Sequence, residues 1–215
     1  MKRYALPLGI LGVILILIIL VVFSSNDSGG PNYTGGNTQE PAISDEWVRG
    51  NKDSSVVLIE YSDFQCPACK LYEGLLFQVQ EQYGDRVAFI YRHFPLTQIH
   101  ANADLAARAS EAAGLQDKFW EMQDLLFTGQ DQWSKLINAN SVFKGYAQEL
   151  GLDLTKFQKD ITSEAVRQQV VDDYARGLKV GVAGTPTFIL NGVKLPRNPG
   201  SYEEFAALLD QIVQK

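Results

Sequence analysis

Cysteine and histidine are scarce in this chain of 215 residues, which has two of each. Two cysteines cannot build the bridge network that staples small secreted folds, so the fold has to rest on an apolar core. Basic clusters are missing as well. Beyond Lys2 and Arg3 the positive charges are scattered and the net charge is −6, which argues against nucleic acid as a partner. No internal repeat is visible. Long apolar runs are absent with one exception, residues 6–23, whose eighteen uncharged residues would span about 27 Å as a helix, roughly a bilayer core. The alternative is a cleaved signal peptide, but its apolar region is shorter, roughly 7 to 15 residues, and its small-x-small site is poorly matched by Val22-Phe23-Ser24-Ser25. The reading is therefore one N-terminal transmembrane helix, with residues 1–5 left in the cytoplasm by the positive-inside rule. Residues 24–41, rich in Gly, Ser, Asn and Thr, follow as a flexible linker. The domain at 42–215 would then sit on the extracytoplasmic side of the cell membrane, where disulfides persist.

Both cysteines fall in one stretch, Asp63-Phe64-Gln65-Cys66-Pro67-Ala68-Cys69-Lys70. A bridge across so short a loop removes only about 2 kcal/mol of chain entropy, so the pair suits exchange better than stapling. Pro67 fits the first helical position, where its missing N–H costs nothing. Cys66 would then stand at a helix N-terminus, where unpaired N–H groups and the helix dipole favour the thiolate. Those residue types in that order point to thiol–disulfide oxidoreduction.

The rest of the chain reads as α/β. Residues 55–61 form a strand with the continuous apolar run Val56-Val57-Leu58-Ile59, buried on both faces. Residues 70–83 have Leu71, Leu75, Leu76, Val79 and Tyr83 at helical spacing, with Gly84 as a stop. A second strand covers 87–91. About ninety residues of helical pattern follow, with Asp153 and Ser163 starting two of the helices. The sheet resumes at 184–190, turns at Asn191-Gly192 and returns through 193–195. Ser201 and Glu204 make a capping box for a last helix with Phe205, Leu208, Leu209 and Ile212 inside. Trp47 is the one large apolar residue of a polar lead-in at 42–54.

The segments Gly50-Asn51-Lys52-Asp53, Asp63-Phe64-Gln65-Cys66-Pro67-x-Cys69, Arg92-His93-Phe94-Pro95, Gly181-Val182-x-Gly184-Thr185-Pro186-Thr187 and Asn191-Gly192 together resemble the DsbA-like branch of the thioredoxin superfamily. The resemblance covers about residues 47–215 and implies a thioredoxin-like fold with an inserted helical subdomain at about 97–181. It implies that Cys66 is the exposed nucleophile, Cys69 the buried resolving thiol, and Pro186 a cis-proline facing them. Thr185, with Pro67 and Ala68, would meet an extended substrate segment. Glu60, in an otherwise apolar strand, matches a buried acid that exchanges a proton with the resolving cysteine; the other reading is a strand-end glutamate facing water. The branch works without a cofactor. Its partners would be reduced or unfolded exported proteins and a membrane protein of DsbB-like or VKOR-like type that reoxidises the pair. Ala68 departs from the strongest oxidant of the branch, which has histidine there, and so implies a weaker oxidant.

Other chemistries fit less well. Zinc could use the two cysteines with His93 and His100, but the histidines stand too far apart in sequence for the usual spacing of about 3 to 5. A Cys–His hydrolase leaves Cys69 without a purpose. Within the same fold a reductase or isomerase, or a non-catalytic module that holds other chains, remain the alternatives. His93 and His100 read as structural, Trp120 and Trp133 as core.

Overall fold

The computed structural model describes residues 46–213. The apolar run at 6–23 and the linker at 24–41 lie outside these residues, and among the described residues no helix is long and apolar enough to cross a membrane.

Five strands form one sheet: β1 (Val48–Gly50), β2 (Val57–Ser62), β3 (Ala88–His93), β4 (Thr187–Leu190) and β5 (Val193–Lys194), in the order β1-β3-β2-β4-β5. β2 and β3 are parallel and joined by helix α1 (Pro67–Tyr83); the remaining pairs are antiparallel. The apolar run at the start of β2 is explained by its central place in the sheet, with neighbours on both edges and little exposure along its length. β1 was not foreseen. Its three residues are too few for a period to show, and it pairs with β3 from within the polar lead-in.

Between β3 and β4 lie α2 (Ala103–Gly114), α3 (Phe119–Thr128), α4 (Gln130–Trp133), α5 (Asn140–Glu149), α6 (Leu154–Asp160) and α7 (Glu164–Lys179). This is the inserted helical subdomain, and its core gathers Phe119, Met122, Leu126, Trp133, Phe143 and Phe157. Asp153 accepts from the N–H groups of Thr155 and Lys156, and Ser163 from that of Val166, so both expected caps are present. Helix α8 (Tyr202–Val213) closes the chain and packs beside α1. Half of its capping box is as expected, Ser201 Oγ accepting from Glu204 N at 3.3 Å, while Glu204 Oε2 accepts from Gly200 N at 2.8 Å instead of from Ser201 N.

Three local expectations need correction. Leu71 is exposed, because the buried face of α1 runs through Cys69, Leu76, Val79 and Tyr83. Gly84 ends α1 in right-handed conformation; a side chain there would meet Gln80 O at 2.6 Å, so space and not a left-handed turn selects glycine. Trp47 does more than cover an edge: it stacks on Phe119 at 4.8 Å and donates to Glu111 Oε1 at 2.9 Å. The Asn191-Gly192 turn is as expected, with φ of 47° and 79°, the positive pair that a two-residue hairpin requires.

Candidate active site

Cys66 is the N-cap of α1, with Pro67 in the first turn. Its loop is held by amides and one acid as well as by buried Phe64, which stacks on Tyr91 at 4.9 Å. Asp63 is buried and its carboxylate accepts from Gln65 N at 2.7 Å, Leu96 N at 2.9 Å and His100 Nδ1 at 2.7 Å. Gln65 donates to Ser134 O and accepts from Asn102 N, each at 2.7 Å. Gln130, from α4, donates to Phe64 O at 2.7 Å and to Cys66 O at 3.0 Å. The inserted helices therefore fix the backbone on which the first sulfur is carried. The sequence reading quoted Asp63 and Gln65 without a purpose and missed Gln130, Asn102 and Ser134. Their contacts join residues 30 or more positions apart, which no local pattern reveals.

Both cysteines are free thiols. Cys69 is 1 % exposed, and Cys66, expected to be open to solvent, keeps only 7 %. Pro67 and Ala68 beside it are exposed, so the sulfur sits just beneath the surface. Its cover is the loop before β4. The Thr185–Pro186 peptide bond is cis, and the carbonyl oxygen of Thr185 lies 3.5 Å from Cys66 Sγ. The residues expected to meet, Cys66, Cys69, Thr185 and Pro186, are brought together.

The two sulfurs differ electrostatically. The Cys69 thiol, foremost, and then the Thr185 side chain and the N–H groups of Cys69 and Ala68 hold Cys66 well below an ordinary thiol, against the opposing effect of burial. Burial, followed by its donation to Cys66, pushes Cys69 far upward. One sulfur is thus ready to attack as thiolate while the other keeps its proton.

Glu60 is 6 % exposed, which excludes the water-facing reading. It lines a cavity of about 20 Å³ with Gln80, Tyr91 and Gln123, room for about one water. Burial first, then the charge of Glu73, raise its pKa to about 8. Glu73, on α1, was not singled out from the sequence; burial raises its pKa as well, and its carboxylate accepts from Gln123 Nε2 at 3.1 Å.

A stability prediction follows from Glu60. Its folded pKa lies above its value in the unfolded chain, so its contribution is fully present below about pH 4.5 and is lost as pH rises to about 8. Glu60→Gln should match the parent protein near pH 4 and exceed its stability near pH 8 by about 4 kcal/mol, measured by urea unfolding. Parallel curves for the two proteins would show that the carboxyl ionises without penalty.

The histidines take structural hydrogen bonds: His93 Nε2 to Glu111 Oε1 at 2.8 Å, and His100 to Asp63 as above. Among the described residues no three His, Cys, Asp or Glu side chains converge as metal ligands. Trp133 is wholly buried, whereas Trp120 is partly covered and carries Arg49 over its ring at 4.6 Å.

The fold and site have known counterparts. BdbD from Bacillus subtilis superposes with a TM-score of 0.72 at 23 % identity, covering 83 % of this chain and 98 % of that one. Wolbachia pipientis α-DsbA1 gives 0.72 at 20 % identity, covering 80 % and 93 %. By sequence, the Na(+)/H(+) antiporter NhaA 1 of Mycolicibacterium vanbaalenii is 40 % identical over 151 residues, 68 % of this chain and 23 % of the antiporter. The chain therefore spans about a quarter of the length of the curated relatives it matches. The family model described as Thioredoxin matches residues 43–211. This chain belongs to the thioredoxin family, and its fold, with six helices inserted between β3 and β4, is that of the DsbA-type members.

Proposed function

We propose that this protein is a membrane-anchored thiol–disulfide oxidoreductase that introduces disulfides into exported proteins through Cys66 and Cys69. The observation that carries the reading is the asymmetry of the pair. Cys66, 3.5 Å from the Thr185 carbonyl oxygen, is favoured as thiolate at a helix N-terminus, and Cys69 is held protonated behind it.

In the oxidised protein a substrate thiolate attacks Cys66 Sγ, the Cys66–Cys69 bond breaks, and Cys69 departs with the electron pair and takes a proton. A second substrate thiolate then attacks the substrate sulfur of the mixed disulfide, and Cys66 leaves as the stabilised thiolate. The substrate is oxidised by two electrons and the pair reduced by two. Glu60 supplies and later recovers the Cys69 proton. Thr185, with Pro67 and Ala68 beside it, offers backbone to an extended client segment.

Residues 6–23 anchor the chain, residues 24–41 tether it, and the domain faces the extracytoplasmic side. Reduced exported proteins are the clients, and a DsbB-like or VKOR-like membrane protein restores the disulfide. The antiporter relatives are matched over only 23 % of their length and lend no transport activity to this chain.

Equilibration of the full-length protein in glutathione buffers tests the direction. The expected potential lies above thioredoxin's, about −270 mV, and below that of the strongest oxidant of the branch, about −120 mV, because the Ala68 side chain, unlike a histidine, adds no hydrogen bond or charge to that of its backbone N–H. A value at or below about −270 mV would make the protein a reductase.

A further inference from the structure

The last residue of β2, Ser62, has no place in the mechanism above, yet it is buried on the strand that carries Glu60, two residues on. Side chains two residues apart on a strand share a face, so Ser62 and Glu60 point the same way. Tyr91 is the in-register neighbour of Glu60 on β3 and lies on that face too. Tyr91 and Cys69 belong to one core cluster, and buried Cys69 stands on the first turns of α1 over this side of the sheet. Ser62 is 1 % exposed. Its carbonyl is occupied by Phe94 N at 2.8 Å, which leaves only the hydroxyl. That hydroxyl makes no hydrogen bond of ordinary geometry, but Glu60, Cys69 and Tyr91 each feel it as a donor. A hydroxyl is both donor and acceptor, which is what a group between an acid and a thiolate has to be.

We propose that the Ser62 hydroxyl passes the proton between the Glu60 carboxyl and the Cys69 sulfur. The inference rests on the exchange chemistry proposed above and on Glu60 as its proton source. As the Cys66–Cys69 bond breaks, Cys69 leaves as thiolate and takes the Ser62 hydroxyl proton. The serine oxygen takes the Glu60 proton, which leaves Cys69 as thiol, Glu60 as carboxylate and Ser62 unchanged. Reoxidation runs the same transfer backwards. Tyr91 is the rival carrier, since its hydroxyl also lacks a partner on this face.

The test is stopped-flow reduction of the oxidised full-length protein by dithiothreitol from acid to alkaline pH, with rates expressed per dithiothreitol thiolate. The parent protein should slow as pH passes the Glu60 titration. Ser62→Ala should be roughly tenfold slower below that point, with a flattened profile and without the solvent deuterium isotope effect of the parent. Ser62→Thr, which keeps the hydroxyl, should restore the rate, and alkylation of Cys66 in reduced Ser62→Ala should match the parent protein. A Ser62→Ala protein with the parent profile, while Glu60→Gln is slow, overturns the relay and leaves Glu60 in place. A slow Tyr91→Phe beside a normal Ser62→Ala assigns the transfer to tyrosine instead. Equal loss in Ser62→Ala and Ser62→Thr, or altered Cys66 alkylation, reduces Ser62 to a packing residue. If Glu60→Gln keeps the parent rate, Glu60 is no proton source and the relay falls with it. If the parent protein exchanges no disulfide at all, the proposed function fails first.

Discussion

Cys69→Ser should turn this protein into a trap. Cys66 still attacks a client disulfide, one client sulfur leaving as thiolate, but no neighbouring sulfur of its own releases it, so mixed disulfides with oxidised or partly oxidised clients accumulate and are seen on non-reducing gels. Cys66→Ser should instead lose exchange by roughly three orders of magnitude or more, because an unactivated hydroxyl replaces a thiolate, and should form no adduct. A second effect of Cys69→Ser separates this arrangement from a generic reactive cysteine. The Cys69 thiol is the largest influence holding Cys66 below an ordinary thiol. Its weaker replacement should move the Cys66 titration upward, read from thiolate absorbance or from the pH profile of alkylation. A Cys66 that titrates like a free thiol in the parent protein, about 8.5, would remove the electrostatic basis of the reading. The same substitutions also distinguish an enzyme from a module that merely holds other chains, since such a module would bind clients equally well without either sulfur.

What could be read from the sequence follows from which interactions leave a local trace. β2, α1, the hairpin at Asn191-Gly192 and the caps at Asp153 and Ser163 were all legible, because each is fixed by residues within a few positions of one another. The two sulfurs and Pro186 were legible as a motif, and Glu60 stood out as a charge inside an apolar strand. The supports of Cys66 were not legible. Gln130 reaches Cys66 O from α4, 64 positions away, and α4 itself has only four residues, too few to display a face. Leu71 misled for a related reason. Leucines at 71 and 75 suggest a stripe on α1, but the packed stripe is set by where the sheet and α8 lie, and it falls on Leu76, Val79 and Tyr83. Ser62 gave no signal because a serine at a strand end is ordinary until the acid and the thiol on either side of it are known to be buried.

Glu46→Ala should cost the domain about 3 to 5 kcal/mol, the largest stability loss expected from one polar side chain here. Glu46 Oε1 accepts from Arg92 Nε at 2.6 Å and Nη2 at 2.5 Å, and Arg92 Nη1 donates to Tyr61 Oη at 2.9 Å. The two charged side chains are 1 % and 2 % exposed, so removing the acid leaves a buried guanidinium without the carboxylate that takes two of its hydrogen bonds. For a domain of this size that loss lowers the melting temperature by on the order of 10 °C. Arg92→Met combined with Glu46→Leu should recover most of it, because a buried pair replaced by apolar side chains of similar volume is often neutral or stabilising. The pair then serves position more than stability. It ties the first described residues of the chain to the C-terminal end of β3, next to Trp47, whose ring lies on Phe119 and leaves no room for a side chain at Gly114, where an added Cβ would meet Trp47 at 2.3 Å. The first described residues are thereby fixed against α2 and α3. Calorimetry on Glu46→Ala decides the matter: a loss under about 1 kcal/mol would mean that water reaches the pair in solution and that these residues are not anchored there.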